Sequence, residues 1–151
     1  MTEYENWIIA ATVFFLFLVG LLTVVRLLAG GRKRYDSIDE MEGRDFEYFC
    51  AELLKKRGFT EVEVTKGSGD YGVDILAEKE GVTYAIQCKC YSEPVGVKAI
   101  QEAYAGRDYY DRMVGAVLTN QYFTTPAVEA AKKLKILLWD RGYLDSMLEE
   151  K

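Results

Sequence analysis

The sequence contains no histidine, and that absence removes whole classes of chemistry. Nucleophile–histidine hydrolases need an imidazole to take and return a proton, and many zinc centres need one as a ligand. Cysteine is scarce too: Cys50, Cys88 and Cys90 are the three in the chain. An odd count in 151 residues is not a disulfide framework. Cys88 and Cys90 form a C-x-C pair, but no second pair completes a zinc site, and a small apolar role on a strand suits both. Positive charge is also in deficit, with 19 Lys and Arg against 24 Asp and Glu. Arg26, Arg32, Lys33 and Arg34 all lie near the N-terminus, so the rest is more acidic still. A domain that grips nucleic acid carries a basic face. Here only a local basic patch is available, so any binding to DNA should be weak, salt-sensitive and non-specific. Internal repeats and low-complexity segments are absent as well.

What is present divides unevenly. Half of the residues are hydrophobic, and the N-terminus is far richer in them than the remainder. Asn6 to Val25 holds no charged residue. An apolar helix of about 20 residues crosses a hydrocarbon core of roughly 30 Å, and Tyr4 and Trp7 stand where an interfacial aromatic belt would be. A buried core helix is the first alternative, opposed by apolar character on every face. A cleaved signal peptide is the second, opposed by Glu3 and Glu5 where a basic region would be needed. Residues 1–29 are therefore expected to be a transmembrane helix with a short outside N-terminus, contacting the membrane through residues 7–29. Arg26, Arg32, Lys33 and Arg34 follow it, so the positive-inside rule places the C-terminal domain in the cytoplasm. Unpaired cysteines agree with that compartment. Residues 30–36 read as a basic linker at the headgroups, where each cation gains about 1 kcal/mol from anionic lipid. Residues 37–151 are about one domain's worth of chain.

Within that domain, Ser37 and Glu40 have capping-box spacing. The helix they announce should run to about Arg57 and stop at Gly58. Phe46, Phe49, Cys50, Leu53 and Leu54 give it one apolar face, with Glu47 at the edge. Phe59 to Lys66 alternates as a half-buried strand. Gly67 to Gly72 matches a bare G-x-G-x-x-G, but a strand follows it, so no helix N-terminus is there to hold a pyrophosphate. Gly72 to Glu78 and Val82 to Cys90 form a hairpin across Lys79, Glu80 and Gly81. A helix from about Gly96 to Asp111 follows, with Val97, Ile100 and Tyr104 inward. Met113 to Thr119 reads as a strand covered on both faces. Thr125 and Pro126 read as N-cap and N1 of an alanine-rich helix, before a short strand Ile136 to Trp139 and an amphipathic tail from Asp140. The order α-β-β-β-α-β-α-β predicts an α/β fold, a three-layer sandwich around a mixed sheet.

On the second hairpin strand, alternation puts Ala85, Gln87 and Lys89 on one face. A half-buried lysine needs a partner, and Asp74 on the adjacent strand is the natural one. The residues by themselves admit two readings. One is an Asp74–Lys89 salt bridge with Gln87 as hydrogen-bond partner, the commoner arrangement. The other is a divalent-cation site for phosphodiester hydrolysis, with oxygen donors from Asp74, Gln87 and the carbonyl of Cys88, and Lys89 orienting water or neutralising charge. Glu47 is likewise open, either a solvated flank residue or a carboxylate reaching toward the sheet.

The ordered motifs GRDFEYFCAELLKKRGF, VTKGSGDYGVDILAE, YAIQCKCYSEPVGVKAIQEAYAG and VLTNQYFTTPAVEAAKKLKILLWD resemble the Mrr-type restriction endonuclease domain, over about Met41 to Asp140. That family belongs to the restriction-endonuclease-like superfamily with a D…(E/Q)-x-K site. The resemblance implies a restriction-endonuclease-like α/β/α sandwich behind the transmembrane helix. It also implies a Mg²⁺- or Mn²⁺-dependent endonuclease acting on DNA. Its metal-binding Asp falls on Asp74, its Q-x-K pair on Gln87 and Lys89, and its first-helix acid on Glu47. Asp70 and Gly72 precede Asp74 in its D-x-G-x-D turn, and Gln101 is a weaker accessory candidate. Val73 stands where the superfamily motif has proline, and Gln87 where glutamate is commoner. With no separate recognition domain, sequence-specific restriction is not expected. One site per chain would call for a homodimer to cut both strands. The alternative is a catalytically silent nuclease-fold module that binds nucleic acid or protein at the membrane.

Overall fold

The computed structural model describes residues 4, 7–8, 12–24, 38–67 and 71–149. The chain divides into two compact units, residues 1–38 and 39–151.

In the first unit residues 12–24 are helical. Their apolar side chains stand open, with Phe14, Phe15 and Phe17 at 66%, 64% and 67% exposure. The hydroxyls of Thr12 and Thr23 donate to the carbonyls of Ile8 and Val19 on their own helix, so the polar groups are satisfied internally. Among the described residues no helix is long and apolar enough to cross a membrane. The expected span over residues 7–29 extends past that helical stretch into positions outside the described residues. So do Arg26, the linker at 30–36 and Ser37 of the expected capping box.

The second unit is a five-stranded sheet in the order β1-β2-β3-β4-β5, between helices on both faces. Ile38 and Asp39 are helical, as the Ser37–Glu40 spacing predicts, but the helix is interrupted at Met41 and Glu42, and α1 (Gly43–Lys56) starts after the break. Glu42 is extended at its N-cap and makes no side-chain cap. Asp39, just upstream, accepts from Asn120 Nδ2 at 2.9 Å and from Arg141 Nη1 at 2.7 Å. Those long-range ties hold the preceding turn apart from α1. The end of α1 is as expected. Gly58 sits at φ +82°, its N–H donates to the Lys55 carbonyl at 3.2 Å, and the Phe59 N–H donates to Leu54 at 3.1 Å. That is a Schellman stop, which a glycine adopts without Cβ strain.

β1 (Thr60–Val64) pairs antiparallel with β2 (Ile75–Lys79), which pairs antiparallel with β3 (Val82–Lys89). Two residues in the left-handed region, Glu80 and Gly81 at φ +53° and +79°, close the β2–β3 hairpin, the geometry a tight hairpin needs. α2 (Val97–Tyr109) crosses over to β4 (Val114–Thr119), parallel to β3. α3 (Thr125–Leu134) leads to β5 (Ile136–Trp139), parallel to β4. α3 is capped by Thr124, whose hydroxyl accepts from Ala127, one residue before the expected Thr125. The amphipathic tail folds as a further helix, α4 (Arg141–Glu149).

The core lies on both faces of the sheet. Val95, Ala99, Ile100, Ala103, Val117, Ala127, Ala131 and Ile136 cluster under α2 and α3. On the opposite face Phe59, Tyr84 and Trp139 meet ring to ring. There Arg57 at the end of α1 donates to Met147 of α4 at 2.5 Å. The inward face of α2 is Ala99, Ile100, Ala103 and Gly106, not Val97, Ile100 and Tyr104 as periodicity predicted. Tyr104 is 37% exposed. Close packing decides this rotation: a Cβ at Gly106 would lie 2.1 Å from Val73 Cγ2.

Candidate active site

Register brings the hairpin residues together. Ile75 lies opposite Ile86, so Asp74, one residue before β2, falls opposite Gln87. The Asp74 N–H donates to the Ile86 carbonyl and its carbonyl accepts from the Thr65 N–H, both at 2.9 Å, which extends the ladder past the strand end. Asp74 and Gln87 are buried, at 7% and 4% exposure. A buried carboxylate requires donors, and Asp74 Oδ2 accepts from Gln87 Nε2 at 2.5 Å and from the Cys88 N–H at 2.7 Å. Gln87 Nε2 also donates to the Cys88 carbonyl at 3.3 Å. Among the described residues Gln87 Oε1 is buried with no hydrogen-bond partner.

Lys89 sits two residues further along β3, and its partner is not the expected Asp74. Its Nζ lies 2.7 Å from Glu102 Oε2 on α2. The reason is reach. Two strand residues advance the chain by about 6.6 Å, so Lys89 has passed Asp74 and stands under α2. Burial pulls the Lys89 pKa down. The Glu102 hydrogen bond, with the charges of Glu102, Tyr91 and Asp74, outweighs that and leaves it raised. Lys89 is therefore an ammonium at neutral pH. With Tyr91, Lys98 and Glu102 it lines a cleft of about 120 Å³.

Glu47 approaches from α1 on the opposite face of the sheet. Its Oε2 lies 2.7 Å from Arg44 Nη1, and the side chain is 16% exposed. Arg44 Nη2 also donates to the Thr65 carbonyl at 2.8 Å, fastening α1 to the end of β1. The Cys88 thiol records how the two acids converge. Its pKa is pushed well above the usual value, first by its hydrogen bond with Cys50 and by burial, then by the charges of Cys50, Asp74 and Glu47.

A match to a family model spans residues 38–148, and the family is described as restriction endonuclease, with the Mrr catalytic domain. The chain belongs to the Mrr-type restriction endonuclease family. Among solved structures, the Mrr-type domain is similar to a protein of unknown function, AF1548, at 25% identity and TM-score 0.61, covering 72% of this chain and 66% of that one. It is also similar in fold to the DNA modification-dependent restriction endonuclease AspBHI, at 18% identity and TM-score 0.59, covering 78% and 34%. The third is the MspJI restriction endonuclease in complex with a 27-mer oligonucleotide, at 16% identity and TM-score 0.54, covering 80% and 30%. The chain thus spans only about a third of the two named endonucleases. No curated protein matches it.

In this Mrr-type domain the structure sets Asp74, Gln87, Lys89 and the Cys88 carbonyl side by side, with Glu47 nearby across the sheet. Gln101 is exposed on α2 and outside the group, whereas its neighbour Glu102 is in it. Asp70 lies outside the described residues. Among the described residues no three His, Cys, Asp or Glu side chains cluster as a metal site. The donors that are present are hard oxygens, and the orphaned, buried Gln87 Oε1 beside the Asp74 carboxylate fits a divalent cation. Glu102 escaped sequence reasoning. Its signal was the small-residue stripe Ala99, Ala103, Gly106, which marks the face of α2 that can lie flush on the sheet and so turns Glu102 toward Lys89.

Proposed function

We propose that this chain is a membrane-anchored, metal-dependent endonuclease that hydrolyses DNA phosphodiester bonds. The observation that carries the reading is the buried Asp74–Gln87 pair with its unpartnered amide oxygen, beside the charged Lys89, in a chain of this family. Asp74, Gln87 and the Cys88 carbonyl would hold Mg²⁺ or Mn²⁺, which when bound polarises the phosphate and acidifies water. Lys89 would orient the attacking water or neutralise charge developing on the phosphate. Glu102 keeps the ammonium aimed into the cleft, and Glu47 assists from α1. Binding to DNA is weak and non-specific, and a homodimer supplies the second site for a double-strand cut. Residues 7–29 form the anchor, with the N-terminus outside and the domain cytoplasmic. Incubating the full chain with plasmid and Mg²⁺, beside Asp74→Ala and Lys89→Ala, tests the chemistry. Nicking should fall steeply in both variants, and undiminished nicking by both would sink it.

The acidic balance favours a second reading, a silent nuclease-fold module that binds at the membrane. Calorimetric titration with Mn²⁺ separates the two. A nuclease gives binding heat that Asp74→Ala abolishes, and a silent module gives none.

A further inference from the structure

Tyr71 and Tyr109 have no part in that chemistry, and they stack on each other in the open. Their ring centroids are 3.7 Å apart with planes at 24°, and the residues are 56% and 54% exposed. Tyr110 meets Tyr109 edge-on at 5.0 Å and 87°, and itself packs on the buried cluster of Val73, Leu76 and Ala85. The stack is therefore braced from the core side. Among the described residues, Tyr109 is the one ring against Tyr71. Single exposed aromatics are ordinary on protein surfaces. A parallel, braced pair with both members more than half exposed is not.

The backbone adds a second observation. Tyr71 sits at φ +50°, a left-handed conformation that bulky side chains rarely adopt and that tends to be retained at functional sites. The loop that carries it lies flat on α2. A Cβ at Gly72 would be 2.6 Å from Glu102 Cβ, and one at Gly106 would be 3.1 Å from the Tyr71 carbonyl oxygen. Tyr71 thus lies against the same helix that holds Lys89. Three residues of chain separate it from Asp74, at most about 11 Å. Seven residues of α2, about 10 Å, separate Tyr109 from Glu102.

We infer that Tyr71 and Tyr109 form a stacking platform for an unpaired nucleobase beside the scissile phosphate, so that the substrate contains a single-stranded stretch. This rests on the nuclease reading and names its substrate class. It also accounts for how an acidic domain binds nucleic acid. Net charge of -5 gives phosphates little long-range attraction, whereas stacking on aromatic rings is tolerant of sequence and adds affinity without a further cation. A duplex hides the faces of its bases and has nothing to offer such a platform.

The test is binding of the full chain, in EDTA so that nothing is cut, to a fluorescent oligonucleotide of about 16 nucleotides. It is presented as single-stranded DNA, as single-stranded RNA of the same sequence and as duplex DNA. Tyr71→Leu and Tyr109→Leu should each weaken single-strand binding by roughly tenfold and leave duplex binding unchanged. Tyr71→Phe and Tyr109→Phe should retain affinity, and circular dichroism checks that each variant is folded. DNA and RNA arms that fall together mark a platform that reads the base alone, and a fall in one arm names the sugar it accepts. Wild-type affinity in both leucine variants, an equal loss on duplex and single strand, or no single-strand binding by the wild-type chain each overturns the inference. Failure of the nuclease reading shows separately, as no Asp74-dependent plasmid nicking while the tyrosine dependence of binding persists.

Discussion

Glu47 and Glu102 are two carboxylates brought to one hairpin by helices on opposite faces of the sheet, and they are held in different ways. Glu47 is paired with Arg44, three residues back on its own helix. Glu102 is paired with Lys89, on a strand thirteen residues upstream, across an interface. A contact within one helix survives if that helix shifts, so it says little about where the helix sits. The Glu102 contact exists only if α2 is docked at one rotation and one height. The α1 flank is tied to the sheet through Arg44 and the Thr65 carbonyl and not through Glu47, whereas on the α2 flank the carboxylate itself makes the tie, to Lys89.

The largest effects should come from the hairpin that both flanks serve. Lys89→Ala is expected to cut plasmid nicking by about 10²–10³-fold, the scale of losing one preorganised charge-stabilising group. Thermal unfolding should show the fold intact. Next is Gly106→Ala. Its new Cβ would press on Val73, next to Asp74, and such overpacking costs about 1–3 kcal/mol. Both Tm and nicking should fall, whereas Gly96→Ala, with open space around its Cβ, should not disturb packing.

Glu102→Gln should have an intermediate effect. It leaves Lys89 half-buried without its counter-ion, at about 1–3 kcal/mol, with solvent contact at both side chains keeping it below the cost of breaking a fully buried pair. The sign of its pH dependence follows from the raised Lys89 pKa. The stability the pair contributes is fully present below the unfolded-state value near 10.5 and is lost as pH rises through the higher folded value. Denaturant titrations of wild type and Glu102→Gln should therefore differ at neutral pH and converge only in strong alkali. The alkaline limb of the nicking profile should move to lower pH in the variant. Smallest is Glu47→Gln, which removes the charge of a pair made within one helix while Arg44 keeps its bond to the Thr65 carbonyl, and it should change Tm less than Glu102→Gln. An equal or larger change would place the deciding contact on the α1 flank instead.

Much of this was legible before any tertiary information. The Gly58 stop, the Glu80–Gly81 hairpin turn, the half-buried β1 and the doubly covered β4 are local signals, set by backbone sterics and by period-two burial. The element order followed from them. What was not legible lay where distant segments compete. The break before α1 was missed because Asp39 is claimed by Asn120 and Arg141, far along the chain. The inward face of α2 was misread because Val97 and Tyr104 are more hydrophobic than Ala99 and Gly106. Contact with Val73 rewards the smaller residues, and periodicity cannot see that contact. The partner of Lys89 is hidden for the same reason: the resemblance points to Gln101, and its neighbour Glu102 is the residue that arrives.

The sequence by itself determined the chemistry on offer. It has no imidazole, it has a Q-x-K strand, and it has an Asp whose hairpin register sets it opposite Gln87. Alternation along paired strands keeps Asp74 on the face of Gln87 and Lys89, because a slip of one residue would turn the whole apolar set out of the core. Only the tertiary structure decided which acid meets Lys89. That choice depends on the rotation of α2, and the rotation is settled by how closely backbones can approach at Gly72 and Gly106, a property of two surfaces in contact and not of either sequence segment alone.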